Sequence, residues 1–221
     1  MEMDVEVDLA RHARDAPVIA TPRGDGMTRI DGNGRGDATP PTDARKIAEA
    51  RRSPEQFAAV FDRHYRRIYA YAARRLGRDL AEDVASETFL VAFSRIDGYD
   101  TNQPDAAPWL YGIASNLIAR QGRAESKRYK TLAKLSPDEA VDAHDDAVAG
   151  RLDALTARGL LARALGRLSA ADRDVLLLVA WAGLSQLEVA AALDIPAGTV
   201  RSRLHRARQA MRTTLGGRGL Q

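Results

Sequence analysis

The sequence predicts an all-α protein built as two small helical bundles joined by a flexible linker. Apolar residues recur at helical spacing in several segments, and strand signals are missing throughout. Aromatic residues make up only 5% of the 221 residues, which argues against a sheet held by aromatic cross-strand pairs. Ala, Leu and Arg dominate the composition and favour helices.

Four segments divide the chain. Residues 1–50 are rich in Gly, Pro, Asp and Thr and are predicted to be a disordered extension, because they bury too little apolar surface to offset the entropy of ordering. Residues 51–130 form the first bundle, residues 131–154 an acidic linker, and residues 155–215 the second bundle.

The first bundle contains three predicted helices. Ser53 is the expected N-cap of the first, with Gln56 completing a capping box, and Gly77 ends it. Asp79 is the expected cap of the second helix, which runs to about Ile96.

A polar loop over residues 98–108 follows the second helix, and Pro108 opens the third. Four further helices are expected over residues 155–168, 170–182, 186–193 and 197–215.

Several classes of site are excluded or unsupported. The chain has no cysteine, which rules out disulfides, thiolate zinc sites and a cysteine nucleophile. The four histidines are scattered without metal-ligand spacing. Because phosphate-loop, zinc-protease and nucleophile-elbow motifs are missing, we expect no enzyme activity, no cofactor and no metal.

Nothing in the sequence indicates membrane insertion. The longest apolar run, residues 175–184, is half of the ~20 residues that a membrane span needs. The acidic first residues lack the basic start and apolar core of a signal peptide. A cytoplasmic protein is therefore expected.

Positive charge is concentrated near the end of the chain. The formal net charge is +3, yet residues 197–215 carry five arginines and no acid. Such a basic stripe is typical of a phosphate-binding surface, and it is also compatible with a solvated helix face.

One short helix and a brief turn lead into this stripe. Ser185 and Glu188 are placed to form a capping box, and a tight turn follows over residues 194–198. In the next helix four apolar residues fall on the inner face: Val200, Leu204, Ala207 and Met211. Polar residues are left outward: Arg201, Ser202, His205, Arg206, Arg208 and Gln209. The pattern matches a helix-turn-helix, whose second helix fits the major groove; an Arg-rich helical hairpin is the alternative.

The stretch GLSQLEVAAALDIPAGTVRSRLHRARQAMR, with LGRLSAADRDVLLLVAWAGLS before it, resembles the second conserved domain of bacterial RNA polymerase sigma factors of the extracytoplasmic-function (ECF) class. The segments FDRHYRRIYAYAARRLG, AEDVASETFLVAFSRI and PWLYGIASNLIARQGR resemble the first conserved sigma domain. The resemblance implies a non-catalytic subunit that binds core RNA polymerase, recognises the −35 and −10 promoter elements and helps to open DNA. A helix-turn-helix regulator acting without polymerase is the alternative, but it has no reason to contain the first-bundle motifs.

By this resemblance the last helix reads the −35 element. The expected base or phosphate contacts are Arg201, Ser202, His205 and Arg206, with Arg203 and Arg208 as flanking phosphate contacts. For Arg203 an ion pair within the domain is an equal alternative.

The resemblance also assigns residues to the −10 element, read as a separated strand. Asn116 falls at the family's base-contacting position, and Arg120 and Arg123 are expected on the same helix face, against phosphates. Tyr99 and Asn102 in the preceding loop are further candidates. Trp109 is either a core residue or a stacking platform for a base.

A core-polymerase interface is expected on the second helix, at Glu82, Asp83, Glu87, Phe89 and Leu90. A solvated acidic face is the alternative for these residues. The linker acids either approach the polymerase channels or provide ordinary solubility: Asp138, Glu139, Asp142, Asp145 and Asp146. An anti-sigma factor is a further possible partner, because such proteins commonly sequester members of the family.

Overall fold

The computed structural model describes residues 42–134 and 146–216 and contains nine α-helices there, with no strand, so the all-α prediction is confirmed. The helices are α1 Asp43–Ala50, α2 Ala58–Leu76, α3 Arg78–Ser94, α4 Ala107–Arg120, α5 Gly122–Ala133, α6 Asp146–Arg167, α7 Ala170–Ala180, α8 Gln186–Leu193 and α9 Ala197–Gly216. Short 3₁₀ helices cover Pro54–Phe57 and Ile96–Gly98.

The first helix, α1, lies in the segment predicted to be disordered, so that prediction is wrong for residues 43–50. The Thr42 side chain caps α1 by accepting a hydrogen bond from the Arg45 backbone N–H at 3.3 Å. Ile47 is fully buried, between the buried Ala44 and Ala50 on the same face. The remaining residues of the extension, 1–41, lie outside the described part of the chain.

The start of α2 differs from the expected capping box. Ser53 makes no side-chain capping bond, because the 3₁₀ helix Pro54–Phe57 precedes α2 and moves its start to Ala58. The Gln56 side chain instead accepts a hydrogen bond from Lys46 Nζ at 2.9 Å. The predicted capping box is therefore replaced by a bond between α1 and the 3₁₀ helix.

A single residue separates α2 from α3. Gly77 has φ 101°, a conformation that glycine adopts without steric cost, and it ends α2 as predicted. Because α3 begins at Arg78, Asp79 lies inside the first turn, and its prediction as an N-cap is wrong. The helix ends at Ser94, and Ile96 belongs to the following 3₁₀ helix.

The linker is shorter than predicted. α5 continues to Ala133 and α6 begins at Asp146, so residues 131–133 and 146–154 are helical. The acids Asp138, Glu139, Asp142 and Asp145 lie outside the described residues.

The two bundles share one continuous hydrophobic core. A buried charge cluster joins them, with Glu125 of α5 at its centre. Arg75 Nε of α2 donates to Glu125 Oε1 at 2.6 Å, and Arg173 Nη1 of α7 donates to Oε2 at 2.9 Å. Asp174 Oδ1 lies 2.7 Å from Arg75 Nη2. The charges compensate one another across the contact between the bundles.

A second contact between the bundles brings two backbones together. A Cβ atom at Gly112 of α4 would lie 2.3 Å from the Ala192 carbonyl oxygen of α8. Since no real Cβ atom approaches an oxygen so closely, the absent side chain permits α4 to pack directly on α8.

α1 is anchored by a buried carboxylate. Asp43 Oδ2 accepts a hydrogen bond from the Ala106 backbone N–H at 2.9 Å and lies 2.7 Å from His64 Nε2, while Arg63 pairs with Oδ1. Burial alone would raise the pKa of Asp43, but these hydrogen bonds and the positive charges of His64 and Arg63 lower the pKa to about 2.

We expect Glu125→Gln to lower the free energy of unfolding by about 3–5 kcal/mol, because it leaves two buried guanidinium groups without their shared carboxylate. Urea denaturation measures the change. The exposed Glu82 on α3 offers a matched control, since Glu82→Gln should stay within about 0.5 kcal/mol of wild type. Equal stabilities of the two variants would contradict this interpretation.

Gly112→Ala should loosen the contact between the bundles, because the added methyl group collides with a backbone carbonyl that has no rotamer to change. We expect about 1–3 kcal/mol of destabilisation, with a larger radius of gyration in small-angle scattering. Gly122→Ala is the control, as a Cβ there meets nothing within 4 Å. Identical scattering from both variants would count against the close approach.

Asp43 should make stability depend on pH in the acid range. Its pKa is lowered from 3.8 to about 2 in the folded protein, so its contribution is complete above about pH 4 and is lost as the pH falls toward 2. The shift corresponds to roughly 2 kcal/mol. Urea denaturation between pH 2 and 6 should show this loss in wild type, and Asp43→Asn should show a correspondingly smaller one. The same pH slope in both proteins would exclude this role.

Candidate functional site

Local bonds hold α8 and the turn after it as predicted. The Ser185 backbone N–H donates to Glu188 Oε2 at 2.7 Å, and the Glu188 N–H donates to Ser185 Oγ at 3.3 Å, so the capping box is confirmed. Asp194 ends α8 in the left-handed conformation, with φ 50°. The Ile195 N–H then donates to the Ala190 carbonyl at 3.0 Å, which fixes the angle at which α9 leaves the turn.

α9 presents the face that the sequence predicted. Val200, Leu204 and Ala207 are buried, and Met211 is half-buried. The predicted outward residues are exposed: Arg201, Ser202, His205, Arg206, Arg208 and Gln209. Arg203 is half-buried, and among the described residues it has no acidic partner, so the alternative of an internal ion pair gains no support there.

Arg206 is held by a residue that the sequence analysis missed. Its Nη2 donates to Asp172 Oδ1 at 2.8 Å, and its Nε lies 3.4 Å from Oδ2. Asp172 is itself placed by Ser169, whose hydroxyl caps α7 by accepting from the Asp172 N–H at 3.1 Å. The two acceptors orient the guanidinium while leaving donors for a further partner. The two residues are 34 positions apart, so no local sequence pattern indicates this pair.

Arg208 lies at the edge of this surface. It lines a cavity of about 310 Å³ between α6, α7 and α9, together with Arg212, Leu161 and Trp181. The walls of the cavity are mainly apolar, so Arg208 borders the outward face of α9 rather than standing at its centre.

A second candidate surface lies on α4. Asn116 and Arg120 are exposed one turn apart, as predicted. Arg123 is exposed too, but α4 ends at Arg120 and Arg123 belongs to α5, so the prediction that it shares their helix face is wrong. Arg120 Nη1 lies 4.0 Å from Glu87 Oε1, a loose exposed pair.

Tyr99 is not a surface residue, and its prediction as a DNA contact is wrong for this structure. It is 6% exposed, its hydroxyl donates to the Gln103 carbonyl at 2.6 Å, and burial raises its pKa. Its ring centroid lies 4.9 Å from that of Trp109, which is half-buried and fits the core alternative. Asn102 is exposed, and its Nδ2 donates to Asp100 Oδ1 at 2.8 Å.

The third candidate surface lies on α3. Glu82, Asp83 and Glu87 are exposed, and Leu90 is 49% exposed beside them. Phe89 is buried at 3% exposure, so its prediction as an interface residue is wrong.

Aromatic neighbours explain the burial of Phe89, since its ring centroid lies 4.9 Å from Phe61 and 6.5 Å from Phe57. Phe93, which the sequence analysis did not select, is 37% exposed one turn after Phe89. The α3 surface therefore combines three carboxylates with the apolar side chains of Leu90 and Phe93.

In the described part of the chain, every helix is too short or too polar to cross a membrane.

Two family models match the chain: Sigma-70 region 2 over residues 60–128, and Sigma-70, region 4 over residues 158–211. The first covers α2–α4 and most of α5, and the second covers α7–α9. The presence of both regions does not favour the alternative of a regulator that acts without polymerase.

Curated relatives extend the match. The ECF RNA polymerase sigma factor SigW of Bacillus subtilis is 31% identical over 179 residues, covering 77% of this chain and 95% of that protein. The ECF RNA polymerase sigma factor SigL of Mycobacterium tuberculosis is 33% identical over 158 residues, covering 71% of this chain and 87% of that protein.

Solved structures share the fold. CnrH, in complex with the cytosolic domain of CnrY, is similar at a TM-score of 0.57 and 24% identity, covering 80% of this chain and 99% of that chain. The sigma factor RpoE from Bartonella quintana, in complex with the anti-sigma factor NepR, is similar at a TM-score of 0.51 and 22% identity. The match covers 73% of this chain and 98% of that chain. With two sigma regions in order and relatives matched over nearly their full length, the chain belongs to the ECF family and is an RNA polymerase sigma factor.

Proposed function

We propose that this sigma factor joins core RNA polymerase as a non-catalytic subunit and directs it to promoters, with α9 on the −35 element and α4 on the −10 element. The observation that carries the proposal is the exposed polar face of α9, held by the capped α8 and the left-handed turn at Asp194. Core polymerase and promoter DNA lie in the bacterial cytoplasm, and we place its action there.

For the −35 element, the support is the arrangement of side chains on α9. Ser202, His205 and Arg206 share the side of the helix opposite the buried Val200 and Leu204. A helix of this kind enters the major groove, where arginine pairs with guanine and hydroxyl groups reach base edges. Arg201, Arg203 and Arg208 flank this row, where phosphate contacts would set the orientation of the helix.

For the −10 element, the support is the exposed pair on α4 with the loop before it. Asn116 carries both a donor and an acceptor, which suits the edge of an unpaired base. Arg120, one turn further on, and Arg123 on the next helix offer positive charge to the phosphates of that strand. The Trp109 ring packs on Tyr99, so we assign Trp109 to the support of the loop.

For core polymerase, the support is the α3 surface of Glu82, Asp83, Glu87, Leu90 and Phe93. Exposed apolar side chains beside carboxylates are typical of a protein interface with a basic partner. A fully solvated acidic face would have no reason to expose Leu90 by 49% and Phe93 by 37%.

An anti-sigma factor is a further partner that we propose. The structure of the neighbour RpoE is described as a complex with the anti-sigma factor NepR. This chain shares that fold, and the cavity between α6, α7 and α9 combines an apolar lining with Arg208 and Arg212 at its mouth. The linker acids stay a prediction, because those of residues 135–145 lie outside the described residues.

Reconstitution with core polymerase tests the function directly. We expect the chain to co-purify with core and to direct run-off transcription from specific genomic fragments. Leu90→Glu should abolish co-purification, because it places a charge in the apolar part of the α3 surface. Ser126→Glu adds the same charge at an exposed position of α5 and should bind core normally. If core polymerase initiates with the same selectivity without the chain, the proposal fails.

Arg206→Ala should weaken −35-dependent transcription. The loss of binding free energy should be about 1–3 kcal/mol, as expected for an arginine that contacts a base. Asp172→Ala separates this role from a structural one, because it removes the partner of Arg206 but keeps the arginine. We expect Asp172→Ala to retain most activity. Equal losses in the two variants, or equal activity of wild type on intact and scrambled −35 promoters, would refute the contact.

A further inference from the structure

The loop between α3 and α4 has few apolar contacts of its own. Residues 100–105 are exposed, while Ile96 and Tyr99 before them and Ala106 after them are buried. A segment with so little buried surface is ordinarily free to sample several conformations. Hydrogen bonds from outside the loop therefore matter for its position.

One end of the loop is held by Arg51, the residue that ends α1. Its Nη2 lies within hydrogen-bond distance of three carbonyl oxygens: Tyr99 at 2.9 Å, Asp97 at 3.1 Å and Ile96 at 3.3 Å. The Nε atom of Arg51 also lies 3.4 Å from the Ile96 carbonyl oxygen. Because the planar guanidinium holds Nε and Nη2 in a fixed relation, these contacts tie the backbone at residues 96, 97 and 99 together.

The other end of the loop is held by the first residues of α1. The backbone N–H groups of Asp43 and Ala44 lie 3.1 and 3.4 Å from the Pro104 carbonyl oxygen, and the Asp43 carboxylate accepts from the Ala106 N–H at 2.9 Å. These N–H groups have no partner within α1, since the first turn of any helix leaves its donors unpaired. Both ends of the loop are thus bonded to one eight-residue helix.

The tip of the loop, residues 100–103, is exposed to solvent between these two attachments. Its shape is completed by Tyr99, whose hydroxyl donates to the Gln103 carbonyl, and by Asp100, which accepts from the Asn102 N–H at 3.0 Å.

A metal ion is a poor explanation for the acidic cluster at the base of the loop. Asp43, His64 and Asp105 bring ligand atoms within 4.8 Å of one another. However, Asp43 already accepts from Ala106 and pairs with His64 and Arg63, and a cation there would meet the Arg63 guanidinium. The cluster therefore serves to attach the loop.

We propose that α1 positions the loop tip, residues 100–103, to select an unpaired base of the −10 strand, and that Arg51 is the main positioning residue. The inference rests on the proposed function, because it concerns how the −10 surface discriminates between bases. Arg51 itself bonds backbone carbonyls and does not face the strand. Its loss should therefore relax base preference without changing the contacts that hold α9 or α3 to their partners.

The test measures run-off transcription by the reconstituted holoenzyme on promoters that carry each of the four bases at every −10 position. We expect Arg51→Ala to reduce the ratio between the preferred and the other bases by roughly fivefold or more at one position or two. Core binding and the dependence on the −35 element should stay at wild-type levels. Arg52→Ala is the matched control, because Arg52 is an exposed neighbour outside the loop contacts.

Arg51→Lys supplies a second variant that keeps the charge and loses the fork, and it should relax the preference in the same way. Hydrogen exchange gives an independent readout, with faster exchange in both variants of the Tyr99 and Gln103 amides, which donate to the Ile96 and Asp100 carbonyls at the end of the loop that Arg51 holds. If Arg51→Ala melts at a much lower temperature than wild type, Arg51→Lys alone decides the test.

Unchanged base ratios in the variants, or a uniform loss on all promoters, would overturn the role of Arg51 while leaving the proposed function intact. A wild-type holoenzyme that shows no −10 selectivity would instead count against the proposed function itself.

Discussion

The buried carboxylate of Glu125 is the interaction on which the arrangement of the two bundles depends. It lies between Arg75 of α2 and Arg173 of α7, each at hydrogen-bond distance. Buried charges are tolerated only when they are paired, so α2, α5 and α7 must come together for any of the three to be buried. The continuous core and the contact of α4 with α8 are further contacts between the same two bundles.

The helix-turn-helix was the part of the fold and of the site that the sequence predicted best. Its signals are local: Ser185 and Glu188 cap within one turn, and the inward residues Val200, Leu204 and Ala207 recur at helical spacing. Residues a few positions apart on one helix share its geometry, so their exposure can be derived from spacing alone. The exposed residues of α9 were found for the same reason, whereas Asn116 was taken from the family resemblance and Arg120 from its spacing of four residues from Asn116.

Features that depend on distant residues were missed or misassigned. α1 is short and polar, and its order depends on Asp43 contacting residues 20 to 63 positions away. Spacing on α3 could not show that Phe89 packs on Phe61, nor could the loop sequence show that Tyr99 packs on Trp109. Arg206 was placed correctly on the surface, but its bond to Asp172 joins two helices and left no pattern along the chain.

The missing side chain at Gly112 sets the distance at which the two bundles meet. Asn116 lies one helical turn after Gly112 on α4, but its side chain is exposed, whereas Gly112 is buried against α8. The spacing between the two matched sigma regions at this contact is therefore set by the absence of a single carbon atom at position 112.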